Sequence, residues 1–197
     1  MNRPLLLTGW IAAGMLALLL PAGAQQWVAD ASKVPIPDHP AAGRIHGAPF
    51  TIQHADLDYS DVDPGEKKAT FFLNLIHGTD AFSGTKIFIT LLTKPGEKIE
   101  GKRFTVDPNH VQTPDAIQDG NVRYSAVQGA MVSWAKQDGF HGHDFNSKWS
   151  LCLEFGKAKG NLIPGKIYYS LQDAQKSYVA GKFTATLVHI QRAHQKR

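Results

Sequence analysis

The most distinctive chemical pattern in the chain is a pair of histidines two residues apart, followed at once by an acid. The segment reads FHGHD, and a strand would place His141 and His143 on the same side of a sheet. Imidazole nitrogens and carboxylate oxygens are ligands of divalent transition metals, and a neighbouring carboxylate can also orient an imidazole. The pattern defines a candidate metal site at His141, His143 and Asp144, with His46 or His110 available as a further ligand.

The residues around these histidines favour a loop. Gly139 and Gly142 interrupt the strand pattern, and nearby Asp and Asn residues form turns by bonding to backbone amides. We therefore expect Phe140–Asn146 to be a surface loop between a strand that ends at Ala135 and one that begins at Lys148. Both imidazoles should then be at least half exposed. An ordinary polar loop that binds no metal is the alternative interpretation.

Aromatic residues on either side of the histidines indicate a second kind of site. Trp149 shares one strand face with Leu151 and Leu153, and the residues between them lie on the other face. This alternation predicts a core position for Trp149. Trp134 stands at a strand end, where an exposed ring could stack on a sugar. We take Trp134, Phe140 and Tyr124 as candidate ligand-binding residues for an envelope glycan or a protein partner. Burial of these aromatics in the core is the competing expectation.

Several catalytic and cofactor patterns are missing from the sequence. There is no G-x-S-x-G nucleophile elbow, the acids of Asp56–Asp63 lack EF-hand spacing, and no histidine follows Cys152 closely enough for a blue-copper site. We name no catalytic residue and expect a non-enzymatic binding or interaction module. A periplasmic metal-binding protein is the alternative, and a hydrolase with carboxylates or histidines gathered in a cleft stays open because such a cleft is a three-dimensional feature.

The first residues have the layout of a cleavable signal peptide. Arg3 supplies a positive charge, residues 11–20 form an apolar stretch, and Ala22 to Ala24 are small residues suited to signal peptidase. We therefore expect residues 1–24 to be removed, leaving a periplasmic or secreted protein. The apolar stretch is short for a hydrocarbon core of roughly 30 Å, so no membrane span is expected after cleavage.

Composition argues against two further features. Cys152 is the only cysteine, so no intramolecular disulfide can form, and we expect a buried, inert thiol. The chain has 21 Lys and Arg against 17 Asp and Glu, which is a mild excess of positive charge. Basic residues do not alternate with aromatics along a stripe, so nucleic acid is not an expected partner.

Short runs rich in β-formers, separated by Gly, Pro, Asp and Asn, indicate an all-β domain. We expect an extended lead-in at 25–43, one domain at 44–190 and a basic tail at 191–197. The expected fold is an antiparallel β-sandwich of about eight or nine strands, jelly-roll-like or immunoglobulin-like, with a closed lipocalin-type barrel as the alternative. The strand-like runs are 50–59, 70–77, 85–92, 102–106, 122–135, 148–155, 166–171 and 178–190.

One short pattern recurs before extended segments. The pattern is a β-branched residue, any residue, and then Gly-Lys. It occurs at Ile99–Lys102, Ile163–Lys166 and Val179–Lys182. Because glycine permits positive φ or a bulge, we interpret the pattern as repeated use of one turn chemistry rather than as a duplication.

Two stretches at the ends of the domain carry a resemblance. The segment GRIHGAPF at Gly43–Phe50 and the segment PGKIYYSLQDAQKSYVAGKF at Pro164–Phe183 resemble uncharacterised secreted or periplasmic bacterial β-sandwich proteins. The resemblance implies a sandwich fold and export. It implies no catalytic residues and no ligand.

Overall fold

The computed structural model describes residues 27–60, 68–78, 84–106, 117–119, 122–124, 126–136, 139–145 and 149–190. A short 3₁₀ turn at Ala31–Lys33 precedes the strands. The strands are β1 (Ala42–Ile45), β2 (Ala48–Thr51), β3 (His54–Ser60), β4 (Ala69–His77), β5 (Thr85–Thr93), β6 (Arg103–Val106), β7 (Ile117–Asp119), β8 (Val122–Tyr124), β9 (Val127–Lys136), β10 (Gly139–Phe145), β11 (Trp149–Phe155), β12 (Leu162–Leu171) and β13 (Tyr178–Ile190). Within these residues, no helix has the length and apolar character needed to cross a membrane.

Eleven of the described strands form one mixed sheet, while β7 and β8 form a separate pair. The main path runs β10-β9-β5-β4-β3-β13-β12-β11-β6, and the β1–β2 hairpin joins through β13. Neighbours pair antiparallel except β13 and β3, which are parallel. The sheet is nearly closed into a barrel, and the seam between its edge strands β10 and β6 is not sealed.

The all-β prediction is confirmed, and the strand-like runs fall on strands; the run 85–92, for example, lies within β5. Two runs each cover parts of two strands, since 50–59 includes parts of β2 and β3 and 122–135 includes parts of β8 and β9. The sandwich is not confirmed, because one continuous sheet carries most of the strands. Alternation along a strand specifies which face is apolar but not which strands pair. The pairing of β13 with β3 is a contact between distant parts of the chain and left no local pattern.

Alternating side chains of the sheet build the core. Leu151, Leu153 and Phe155 of β11 point inward and are buried, and their partners on β12 include Tyr169 and Ile167. Residues that are directly paired across strands share a face, so the inward set of one strand meets that of the next. Trp149 belongs to the same buried row, which confirms its predicted core position.

The segment predicted as a histidine loop is a strand. Gly139–Phe145 pairs with β9 in antiparallel register, and Gly142 lies opposite Ser133. The strands on either side of this segment do not pair with each other: β9 pairs with β10 and β5, and β11 pairs with β12 and β6. β10 is an edge strand with one partner, a position where the packing cost of a strand glycine is small.

The lead-in lies against the sheet on the side turned away from the core. Ala31 packs with Cys152, Tyr168 and Ala180 in a second apolar cluster that Val28, Val34 and Ile36 extend. The amide of Ala31 donates to Ser150 Oγ over 2.9 Å, and Ser170 Oγ donates to the Val28 carbonyl over 2.6 Å. Residues 27–41 therefore act as a strap across β11, β12 and β13, held by buried hydrogen bonds and apolar contacts.

Candidate functional site

Trp134 is half-buried at the end of β9 and packs against the main core. Its ring centroid lies 4.3 Å from that of His46, with the two planes tilted by 48°. Trp134, the candidate sugar-stacking residue, therefore packs on the edge of the core, and the His46 ring contacts it. His46 and Trp134, which the sequence treated as parts of different sites, are neighbours.

His46 owes its position to a tight turn. It has a φ of 49° and the following Gly47 a φ of 80°, the pair of positive values that a two-residue type I′ hairpin requires. The backbone amide of His46 donates to Ser177 Oγ over 2.8 Å, and its Nδ1 lies 3.5 Å from Asp173 Oδ2. These contacts bind the β1–β2 hairpin to the turn that precedes β13.

The three side chains of this cluster are the types found in a catalytic triad, but the order of contacts is different. Ser177 donates its hydroxyl proton to Asp173 in a short hydrogen bond, and the Ser177 amide donates to the same carboxylate over 2.7 Å. A nucleophile would instead have to donate to the imidazole. Because Ser177 is fully buried, the arrangement serves as a structural lock.

The candidate metal residues are placed only by their backbone. Position 141 lies opposite Trp134 and position 143 opposite Val132 in the β9–β10 register. No group of three or more metal-binding side chains occurs among the residues whose side chains are described. Of the candidate residues, Tyr124, Phe140, His141, His143 and Asp144 have side chains outside that part of the structure, and His110 lies outside the described residues altogether.

A groove of about 620 Å³ opens where the strap meets the end of β11, the start of β12 and the middle of β13. Its apolar surface comes from two phenylalanines and two prolines, and charged and polar groups lie beside them. The apolar residues are Pro40, Phe155, Pro164 and Phe183; the polar residues are Asp38, His39, Glu154, Lys166, Lys182 and Thr184. The volume is in the range of ligand pockets, about 300–1,000 Å³.

Register places the charges of the groove side by side. Glu154, Lys166 and Lys182 are direct partners across β11, β12 and β13. Asp38 of the strap joins the two lysines: its Oδ1 lies 3.1 Å from Lys166 Nζ and its Oδ2 2.9 Å from Lys182 Nζ. The Lys182 ammonium and then that of Lys166 hold the pKa of Asp38 below its usual value. Glu154 in turn faces Arg103, with Nε and Oε1 3.5 Å apart.

Two glycines give the groove its shape. A Cβ on Gly165 would lie 2.4 Å from Cζ of Phe183, so the ring can sit over β12 only because that position has no side chain. Gly181 has a φ of 129°, and a Cβ there would lie 2.6 Å from the His39 carbonyl oxygen. The strap crosses β13 at this point, and Lys182 donates its amide to His39 and accepts from Ala41, both over 2.7 Å.

The recurring Gly-Lys pattern was the one sequence signal that bears on this groove. Gly165 and Gly181 lie inside the long strands β12 and β13, so the interpretation of the pattern as turn chemistry is wrong at these two positions. The pattern instead sets a glycine next to a lysine on each strand. The β12–β13 register then brings Lys166 and Lys182 together.

A different cluster occupies the outer face of β3, β4 and β5. The rings of Phe72 and Phe88 stack with centroids 5.5 Å apart, and Lys86 Nζ lies 5.3 Å from the Phe88 centroid. Asn74 is only 6% exposed and donates to Asp58 Oδ2 over 2.9 Å, while its own Oδ1 has no hydrogen-bond partner among the described residues. Burial raises the pKa of Asp58 and lowers that of Lys86.

No protein-family model, curated protein or solved structure matches the chain. The features of the molecule that bear on function are the groove, the charges around it and the residues at the His46 end of the sheet.

Proposed function

We propose that the protein is exported and acts as a non-enzymatic binding module that holds a short segment of an envelope glycan in the groove beneath the strap. The observation that carries this proposal is the composition of the groove, where two prolines and the edges of two largely buried phenylalanines lie next to donors and acceptors. A sugar presents an apolar face of C–H groups and a rim of hydroxyls, and protein sites match both with aromatic or apolar contacts and a few placed polar groups.

The state of the carboxylates supports binding rather than hydrolysis. Asp38 is paired with two lysines, which keep it ionised, and Glu154 faces Arg103. A glycoside hydrolase needs one carboxyl group whose pKa is raised so that it can donate a proton at the working pH. Asp38 is the opposite of such an acid, because the two ammonium groups beside it lower its pKa, so the groove is better suited to hold a glycan than to cut it.

The test is a binding screen of the mature protein against an array of envelope oligosaccharides, followed by titration calorimetry with the best ligand. A Thr184→Trp variant should weaken binding more than tenfold, since this exposed strand residue lines the groove and a Trp side chain would fill it. Val188→Trp, on the exposed side of the same strand but outside the groove, is the matched control and should bind like the wild type.

Two results would contradict the proposal. One is a screen in which no oligosaccharide binds at millimolar concentration; capture of a defined protein partner in its place would favour a protein-interaction module. The other is a Thr184→Trp variant that binds the ligand unchanged.

Export has its own test, because N-terminal sequencing of the protein from the periplasm or medium should begin at Gln25.

A second candidate function is metal binding at the other end of the sheet. The register brings His141 opposite Trp134, whose ring contacts His46, so two histidines neighbour one tryptophan. We propose His141 and His143 as the ligands, with His46 as the third; position 144 belongs to the other face of the strand, so Asp144 is no longer a candidate ligand. Calorimetry with Zn²⁺ at pH 7.5 should give heat with the wild type and none with His141→Ala/His143→Ala, and affinity should fall below about pH 6 as the imidazoles protonate. Equal heats would refute this candidate.

A further inference from the structure

We infer that the groove selects ligands that carry a carboxylate, and that Asp38 occupies the place of the ligand's carboxylate in the free protein. This inference rests on the proposed glycan-binding function and narrows it to acidic sugars, such as uronic acids. It starts from the geometry of one carboxylate that bridges two ammonium groups at 3.1 and 2.9 Å on the rim of the groove.

The lysine pair has an unusual placement. Lys166 and Lys182 are direct cross-strand partners, and like charges in that relation repel each other. Among the described residues Asp38 is the one acid that forms an ion pair with either of them. Two ammonium groups fixed side by side by the register form a receptor for one carboxylate with two oxygens, one for each lysine.

Asp38 can leave this place without unfolding the strap. Its side chain is 73% exposed, and exposed ion pairs contribute little to stability. The backbone beside it is held independently, by the paired amides and carbonyls of His39, Ala41 and Lys182. A rotation of the Asp38 side chain would free both ammonium groups while the wall of the groove stays in position.

The remaining charges distinguish a carboxylate from a more highly charged anion. Glu154 lies next to Lys166 in the register and adds a negative charge on the side of the lysines away from Lys182. A monoanion that replaces Asp38 keeps the local charge unchanged, whereas a dianion such as a phosphate monoester would add one negative charge beside Glu154. The apolar surface of Pro40 and Pro164 next to the lysines suits the ring of a sugar acid.

The experiment compares matched acidic and neutral oligosaccharides that differ only in a uronic acid and its reduced, uncharged sugar. With the wild type, the acidic member should bind more tightly. Asp38→Asn removes the internal competitor and should strengthen acid binding about two- to fivefold, so that the preference for the acidic over the neutral member increases. Lys166→Met/Lys182→Met should weaken acid binding more than tenfold, so that the preference for the acidic member is lost.

The outcomes separate this inference from the proposed function. Equal binding of the acidic and neutral members would overturn the inference and leave glycan binding intact, whereas binding of neither would overturn both. Weaker acid binding by Asp38→Asn would overturn the role of Asp38 as a competitor. Circular dichroism and the rate of Cys152 labelling in each variant report whether the strap is still docked, since Cys152 is buried beneath it.

Discussion

Two regions of the sheet's outer face, one over β12 and β13 and the other over β3 to β5, use the same kinds of side chain in opposite ways. On the β12–β13 side, exposed Asp38 pairs with Lys166 and Lys182, and its pKa is lowered. On the β3–β5 side, Asp58 lies beside Asn74, and burial raises its pKa. Proximity to opposite charge dominates at the first region and loss of water at the second. An acid can thus be stabilised or destabilised in its charged form by position alone.

The strap adds a second difference, which concerns the thiol. Cys152 is fully buried among the strap residues, and burial raises its pKa, while Arg103 Nη2 lies 3.2 Å from the sulfur and partly offsets that effect. A thiol that is both covered and protonated reacts slowly. The reactivity of Cys152 therefore measures whether the strap is docked.

Among the substitutions that test the strap, Gly181→Ala should cause the largest loss of stability. Its Cβ would lie 2.6 Å from the His39 carbonyl oxygen and 2.7 Å from Ala41 Cα, at a φ of 129°. We expect a loss of about 3 kcal/mol in the free energy of unfolding, or detachment of the strap with fast Cys152 labelling. Urea denaturation and labelling with a thiol reagent measure the two effects.

Gly96→Ala is the matched control for Gly181→Ala. Gly96 also has a positive φ, 74°, but a Cβ there would meet nothing within 4 Å. Only the backbone strain remains, so the loss should be about 1 kcal/mol with unchanged Cys152 labelling. If the two variants lost equal stability, the close crossing of the strap over β13 would not be what holds it.

A smaller effect is expected from Ser150→Ala beneath the strap. Ser150 is 1% exposed and its hydroxyl accepts from the Ala31 amide, which would be left buried without a partner. Such a loss costs about 1–2 kcal/mol and should be concentrated in the strap, so Cys152 labelling should accelerate. Ser133→Ala, at an equally buried serine on β9, should leave the labelling rate as it is. Equal acceleration in both variants would contradict a local effect.

The sequence predicts the strands better than the site because the two depend on information of different range. The alternation of Trp149, Leu151 and Leu153 is visible within one strand and is enough to assign it and its inward face. The groove depends on the β12–β13 register and on a strap that crosses β13 at Gly181. Neither contact leaves a local pattern beyond the glycines themselves, so no residue of the groove was among the sequence-based candidates.

The histidine segment at Gly139–Phe145 shows that a local pattern can also predict the wrong structure when a distant strand is available for pairing. Gly139 and Gly142 favoured a loop on local grounds, but β9 offered an edge with which the segment could pair. Backbone hydrogen bonds to a neighbouring strand outweigh the weak strand propensity of glycine, a property that depends strongly on context. His46 and Trp134 became neighbours through a hairpin turn that brings together residues 88 positions apart in the chain.

Asp58→Asn tests the partly buried member of the two carboxylates. Because the pKa of Asp58 is raised in the folded protein, the folded state keeps a proton that the unfolded state has already lost. Stability should therefore fall as pH rises from the unfolded pKa, near 3.8, through the higher folded value. Asn resembles the protonated acid, so the variant should melt higher than the wild type at pH 7 and equally at pH 2 to 3. A variant that melts lower at pH 7 would contradict burial as the cause.

Asp38→Asn should give the smallest effect, with the opposite sign. The pKa of Asp38 is lowered by Lys182 and Lys166, so its contribution to stability is complete above the unfolded value near 3.8 and is lost as pH falls through the lower folded value. The variant should therefore melt slightly lower than the wild type at pH 7, and the two melting curves should converge as pH approaches 2. High salt should narrow the difference at pH 7, because the pair is exposed and screened. Thermal melts of both Asn variants across pH 2 to 7 would show two difference curves of opposite sign, and curves of the same sign would show that the two regions do not treat their acids differently.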